Sequence, residues 1–167
     1  DGHRLRVQVP QLDPARVEDL IVGNAVPEAE QGLQIGRMIA VRALPLTTGG
    51  MTVNRYCASG VETIAIATAK IKSGMADCII AGGVESMSLV PTAGWKVALN
   101  YETAKEHPDY YVGMGLTAEA VAQQFNINRT DADQFAYESH QKAIRAIEQG
   151  YFKDDIAPID VTEVYVN

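Results

Sequence analysis

Two cysteines and three histidines are the chain's candidates for covalent or metal chemistry. Cys57 stands in Asn54-Arg55-Tyr56-Cys57-Ala58-Ser59-Gly60, between a stretch with strand character, Met51 to Tyr56, and an Ala-rich helical stretch from Val61. A thiol placed where a strand feeds a helix faces unpaired backbone N–H groups and the positive end of the helix dipole. Both favour the thiolate, which is the nucleophilic form. The same N–H groups could hold the oxyanion of an attacked thioester or ketone. Position alone leaves a buried structural cysteine as the alternative, since free Cys is among the most buried residue types.

The other candidates read as structural. Cys78 lies in the apolar strand Cys78-Ile79-Ile80-Ala81. His3, His107 and His140 are scattered and make no metal-ligand spacing with either cysteine. His140 sits on a long helical stretch and His107 precedes Pro108, so both read as surface or loop residues. Glu85, which follows an apolar strand, is assigned to structure.

The elements that must position Cys57 follow from pattern. Asp13-Pro14 is a helix-start signal, with Asp as N-cap and Pro at the first helical position. Asp19 to Ala25 is a buried strand, Pro27 to Gly32 a polar loop, and Leu33 to Leu44 a helix ending before Pro45. Thr47 to Gly50 is a turn. The helix from Val61 is apolar nearly all round, which predicts burial on more than one side, and Ser73-Gly74 ends it. Asp77 to Val84 is the next strand. Strands alternating with helices over short connections predict an α/β fold with a parallel sheet and right-handed crossovers. Gly82-Gly83 lacks the spacing of a dinucleotide fingerprint, so no nicotinamide cofactor is expected.

After Ser88 about twenty residues read as irregular. Thr117 to Phe125 follows as a short helix capped by Thr117, and Thr130-Asp131 opens the longest helix, with Phe135, Ala136, Ser139, Ala143, Ala146 and Ile147 on one face and Gly150 at its close. Ile156 to Ile159 begins a strand, and Leu5, Val7 and Val9 alternate like one before Pro10.

The 167 residues suit one domain or one domain plus an insertion, and 47% hydrophobic with 21% charged residues is ordinary globular composition. A formal charge of −7, without a Lys/Arg cluster, argues against nucleic acid and anionic membranes as partners. No apolar run approaches the roughly 20 residues of a membrane-spanning helix. Two cysteines make no disulfide framework, so a reducing compartment is expected.

The cysteine motif, followed about twenty residues later by Ala81-Gly82-Gly83-Val84-Glu85-Ser86-Met87-Ser88 and then by Tyr110 to Glu119, resembles the thiolase family over roughly residues 13 to 167. The N-R-x-C-x-S-G form is closer to degradative 3-ketoacyl-CoA thiolases than to biosynthetic acetoacetyl-CoA thiolases. The resemblance implies a thiolase-like N-terminal domain over 1–90, a parallel-rich sheet sandwiched by helices with its first strand and helix missing, and part of the inserted loop domain over 91–167. It implies an acyltransferase of fatty-acid β-oxidation that cleaves 3-ketoacyl-CoA to acetyl-CoA and a shortened acyl-CoA. Cys57 would carry the acyl group, its backbone N–H serving the oxyanion. Met114 matches a loop-domain methionine near the acyl end of the substrate, and Gly113 before it, where many biosynthetic enzymes carry His, leaves room for longer acyl chains. The Glu85 corner would support the active-site loops.

Coenzyme A enters as substrate, with no other organic cofactor and no metal. In thiolases the general base lies in a Gly-His-Pro stretch, the acid is a second Cys, and an Asn-Glu pair helps hold a water at the oxyanion site. None has a match here, so the chain is expected to be an inactive piece of a longer protein. Whole, it would be a homodimer or homotetramer pairing through the edge strand Met51 to Tyr56. It would reside in a bacterial cytoplasm, or in the mitochondrial matrix or peroxisome of a eukaryote. A biosynthetic thiolase and a noncatalytic acyl-CoA-binding scaffold are the alternatives.

Overall fold

The structure, a computed structural model, describes residues 9–160 and 162. The alternation at Leu5 and Val7 lies outside them. The chain forms two compact units, Asp1–Ala98 and Leu99–Asn167.

In the first unit, three strands, β1 (Asp19–Gly23), β2 (Met51–Val53) and β3 (Ile79–Gly83), form a sheet in the order β2-β1-β3. Both pairings are parallel, with Ile21 opposite Met51 on one side and Ala81 on the other. Successive residues of a strand face opposite sides of the sheet. Leu20 and Val22 face α1 (Ile35–Ala43), where Ala40 is buried with them and Ile35, Ile39, Leu44, Ile80 and Val84 pack around. Burying such aliphatic side chains stabilises the fold by roughly 2 kcal/mol each.

Asp19 and Gly23 face the other way, toward α2 (Ser59–Lys72). Lys70 pairs with Asp19 at 2.5 Å, and Gly23 lies against Ser59. The sheet is thus sandwiched between the two helices. The chain moves from β1 to β2 by way of one face and from β2 back across β1 to β3 by way of the other. The two crossovers therefore share one hand, as parallel connections should.

Two glycines allow the helices to approach this closely. A Cβ on Gly23 would lie 2.8 Å from the Ser59 carbonyl carbon, and one on Gly36 would run into the Met51 carbonyl. Asp13 caps the Pro14–Arg16 turn as its sequence predicts, accepting the Ala15 N–H, but the turn is a single 3-10 turn.

The prediction that α2 is buried on more than one side does not hold. Only Ser59, Thr63 and Ala67, one row at four-residue spacing, are buried, whereas Val61 and Ile64 are 72% and 60% exposed. A three-stranded sheet offers the helix one surface, and among the described residues of the first unit nothing lies over the other.

The second unit consists of α3 (Tyr101–Glu106), a 3-10 turn at Pro108–Tyr111, α4 (Met114–Phe125) and α5 (Arg129–Glu148). The stretch predicted as irregular therefore contains a helix, started by Asn100, whose side chain accepts the Thr103 N–H. Thr117 does not cap α4. The helix begins at Met114 after Gly113, and the Thr117 hydroxyl donates back to the Gly113 carbonyl from inside the first turn. Likewise Asn128, not Thr130, caps α5, its side chain accepting the Asp131 N–H at 3.0 Å. Ile156 to Ile159 form no strand, since no described strand in this unit offers a partner and Pro158 brings no N–H.

Candidate active site

Parallel strands bring their carboxyl ends to one edge, which is where ligands bind in open α/β sheets. Asn24 follows β1, Asn54 to Cys57 follow β2, and Glu85 follows β3, so three chain segments meet at that edge.

The strand predicted to run to Tyr56 stops at Val53. Asn54 ends it: its side-chain oxygen accepts the Tyr56 N–H at 2.9 Å and turns the chain. Tyr56 then takes a left-handed backbone, φ +46°, uncommon for a bulky side chain. Tyr56–Ala58 is a 3-10 turn that runs directly into α2. Ser59, buried at the first turn of α2, braces this bend from below. Its hydroxyl donates to the Tyr56 carbonyl at 2.6 Å and accepts the Arg55 N–H at 2.8 Å.

The bend delivers Cys57, exposed, just ahead of the helix N-terminus. Among the described residues no side chain caps α2, and the Cys57 N–H has no hydrogen-bond acceptor. Uncapped N–H groups and the dipole's positive end at one place favour a developing negative charge. Beside Cys57 an open, largely apolar pocket of about 510 Å³ is walled by Gly60, Gly83, Val84, Met87, Val90 and Thr92.

Glu85, also on the pocket wall, ties the edge together. Its carboxylate accepts the Asn24 side-chain amide at 3.1 Å, the Ala25 N–H at 2.7 Å, the Val26 N–H at 3.4 Å and the Gln31 side-chain amide at 2.5 Å. Gln31, itself buried, also donates to the Val26 carbonyl and accepts the Ser86 N–H. The segment after β1 is thereby clamped to the segment after β3. A carboxylate holding four donors is a structural anchor, the role assigned to it from sequence.

Asn24, fully buried, donates to the Val84 carbonyl as well, while its Oδ1 has no partner among the described residues. Sequence reasoning singled out neither Asn24, Gln31 nor Asn54. Asn54 belongs to the cysteine motif itself, and an Asn two residues before a turn is the available signal. The ion pair of Arg55 with Glu62, 2.7 Å long and open to solvent, contributes little.

The remaining candidates lie elsewhere. Met114 is the first residue of α4, in the second unit, and is 76% exposed. His107 meets Tyr110 edge-on, and His140 is exposed on α5. Cys78 precedes β3 at the opposite edge of the sheet. Among the described residues, no three His, Cys, Asp or Glu side chains cluster as metal ligands, and no helix is long and apolar enough to cross a membrane.

Comparison with known proteins gives these features a context. The family profile "Thiolase, N-terminal domain" matches residues 5–165. A 3-ketoacyl-CoA thiolase of Bacillus subtilis (strain 168) is 50% identical over 147 residues, covering 87% of this chain and 38% of the relative. A beta-ketoadipyl-CoA thiolase of Acinetobacter baylyi is 39% identical over 92% of this chain and 43% of its own length. A peroxisomal 3-ketoacyl-CoA thiolase of Arabidopsis thaliana is 38% identical, over 93% and 36%. The solved structure of a Bacillus anthracis acetyl-CoA acetyltransferase superposes with a TM-score of 0.77 at 32% identity, covering 96% of this chain and 44% of that one. The chain thus spans about two fifths of the length of the relatives it matches. Sequence and fold agree, and this chain belongs to the thiolase family, matching its N-terminal domain.

Proposed function

We propose that Cys57 is the acyl-carrying nucleophile of a thiolytic acyltransferase acting on 3-ketoacyl-CoA. The observation that carries this reading is the bend after β2, which sets an exposed thiol and an N–H with no acceptor among the described residues side by side at the α2 N-terminus, beside an apolar pocket. In the reaction, the Cys57 thiolate attacks the 3-keto carbon and the oxyanion formed takes the Cys57 N–H. The bond between C2 and C3 breaks, acetyl-CoA leaves as a carbanion that takes up a proton, and the shortened acyl group stays on Cys57 as a thioester. The thiolate of a second CoA then attacks that thioester, releasing the shortened acyl-CoA and restoring the cysteine thiolate. The groups that protonate the carbanion and activate the CoA thiol have no match in these residues. Acyl transfer to Cys57 is therefore the step this chain can be asked to perform, and steady turnover is not expected of it.

Residues 91–167 are proposed as the beginning of the family's inserted loop domain, and Met114 as a substrate-binding residue of the whole protein. In the whole protein the outer edge of β2, unpaired among the described residues, is the proposed contact of a homodimer or homotetramer. The proposed role is fatty-acid degradation, in a cytoplasm, mitochondrial matrix or peroxisome. Likeness to the acetyl-CoA acetyltransferase structure favours a second reading, a biosynthetic enzyme restricted to acetoacetyl-CoA.

The test is incubation of the chain with acetyl-CoA and with medium-chain acyl-CoA, followed by peptide mass spectrometry. The proposal expects an acyl adduct on Cys57, absent in Cys57→Ala and retained in Cys78→Ala. Adducts from both thioesters favour the degradative reading, and an acetyl adduct alone favours the biosynthetic one. Equal labelling of Cys57 and Cys78, or none, contradicts both.

A further inference from the structure

One side chain joins the clamped part of the carboxyl edge to the turn that presents Cys57. Asn54 uses both ends of its amide: Nδ2 donates to the Ala25 carbonyl at 3.0 Å, and Oδ1 accepts the Tyr56 N–H at 2.9 Å. The peptide N–H of that same Ala25 is held by the Glu85 carboxylate at 2.7 Å. A continuous path of hydrogen bonds thus runs from Glu85 through the Ala25 residue and the Asn54 side chain to Tyr56, the residue before Cys57. Tyr56 is also where the backbone is left-handed, a conformation that costs free energy in a bulky residue and persists only when neighbours hold it.

We infer that Asn54 is a positioning residue, setting the direction of Cys57 by holding Tyr56 in this conformation while anchored to the Glu85 clamp. The inference rests on the reading of Cys57 as the nucleophile. Two features separate this role from general stabilisation. Asn54 is itself exposed, so removing its side chain opens no cavity in the core. Its two contacts also differ in function, since one forms the local turn and the other tethers it. Asn54→Asp keeps an acceptor for the Tyr56 N–H but gives up the donor to Ala25 and sets a carboxylate against that carbonyl. Asn54→Ala loses both contacts.

The experiment compares alkylation of Cys57 and Cys78 by iodoacetamide, at limiting reagent, in the 167-residue chain and both variants, with thermal midpoints recorded alongside. The Cys78 rate reports general loosening, because Cys78 sits at the far edge of the sheet. Loss of one to two hydrogen bonds predicts that Asn54→Ala lowers the Cys57-to-Cys78 rate ratio about tenfold. Asn54→Asp falls between that value and the parent, and Cys78 itself is unchanged in both. If Asn54→Ala fails to fold, the Asn54→Asp ratio decides. Ratios equal to the parent in a chain whose Cys57 is the faster site overturn the role of Asn54 while leaving the nucleophile reading intact. So does a fall in ratio that comes only from faster Cys78. A parent chain in which Cys57 is no faster than Cys78 overturns the nucleophile reading and this inference with it.

Discussion

The carboxyl and amino edges of one small sheet carry a cysteine each, and the chain treats the two oppositely. Cys57 precedes the first turn of α2, and Cys78 follows the end of the same helix. At the amino edge polar groups are paired off. The Glu18 carboxylate accepts the N–H groups of Asp77 and Cys78, at 2.6 and 3.2 Å, and the Cys78 carbonyl accepts the Glu18 N–H. Thr48 donates to the Val17 carbonyl, and Lys70 closes on Asp19. At the carboxyl edge Glu85 also gathers N–H groups, but it takes them from the segment after β1, and among the described residues the N–H of Cys57 is left over. The two helix ends differ in sign as well, positive at Cys57 and negative toward Cys78. In a parallel sheet every following helix points its N-terminus at the carboxyl edge, so topology alone puts the positive helix ends at one edge and the negative ends at the other.

The two edges should differ most at the cysteines. Cys57→Ala should abolish acyl capture from an acyl-CoA, whereas Cys78→Ala should leave it unchanged, as intact-mass spectra would show. Next comes Gly23→Ala. Its Cβ meets Ser59 backbone at 2.8 Å, so α2 must shift from the carboxyl edge, at about 2 kcal/mol of stability by denaturant titration. Cys57 alkylation should slow, whereas Cys78 alkylation should not.

Glu85→Ala releases four donors and should cost about 2 kcal/mol, with faster proteolysis of the loop around Ala25 and Val26. Smallest is Lys70→Met at the amino edge, which strands a partly buried Asp19 and should cost about 1 kcal/mol without changing the Cys57 rate. A slowed Cys57 in that variant would show that the two edges are not independent.

These edges were unequally legible in the sequence. The alternation of strands and helices and the junction at Cys57 could be read because each depends on residues adjacent in the chain. Strand propensity at Tyr56 predicts a longer β2, while an Asx turn at Asn54, a single hydrogen bond, overrides it. Thr117 and Thr130 both have cap chemistry, yet the helices start three and one residues earlier, at Met114 and Arg129, as the local turn geometry at Gly113 and Asn128 dictates.

The Glu85 clamp was harder. Asn24 and Gln31 read as one strand-end residue and one polar-loop residue, and their partner lies 61 and 54 positions away. Nothing in local pattern predicts such pairing. The outer face of α2, bare among the described residues, is illegible for a related reason, since an apolar helix shows that it needs cover and not what supplies it.

The most direct test of the asymmetry is a competition for one reagent. With the folded 167-residue chain at neutral pH and substoichiometric iodoacetamide, the fraction of label on each cysteine is read by peptide mass spectrometry. An exposed thiol at the positive end of α2 predicts that Cys57 takes the label at least about tenfold faster than Cys78. Equal rates, or preference for Cys78, would contradict the assignment of the nucleophile.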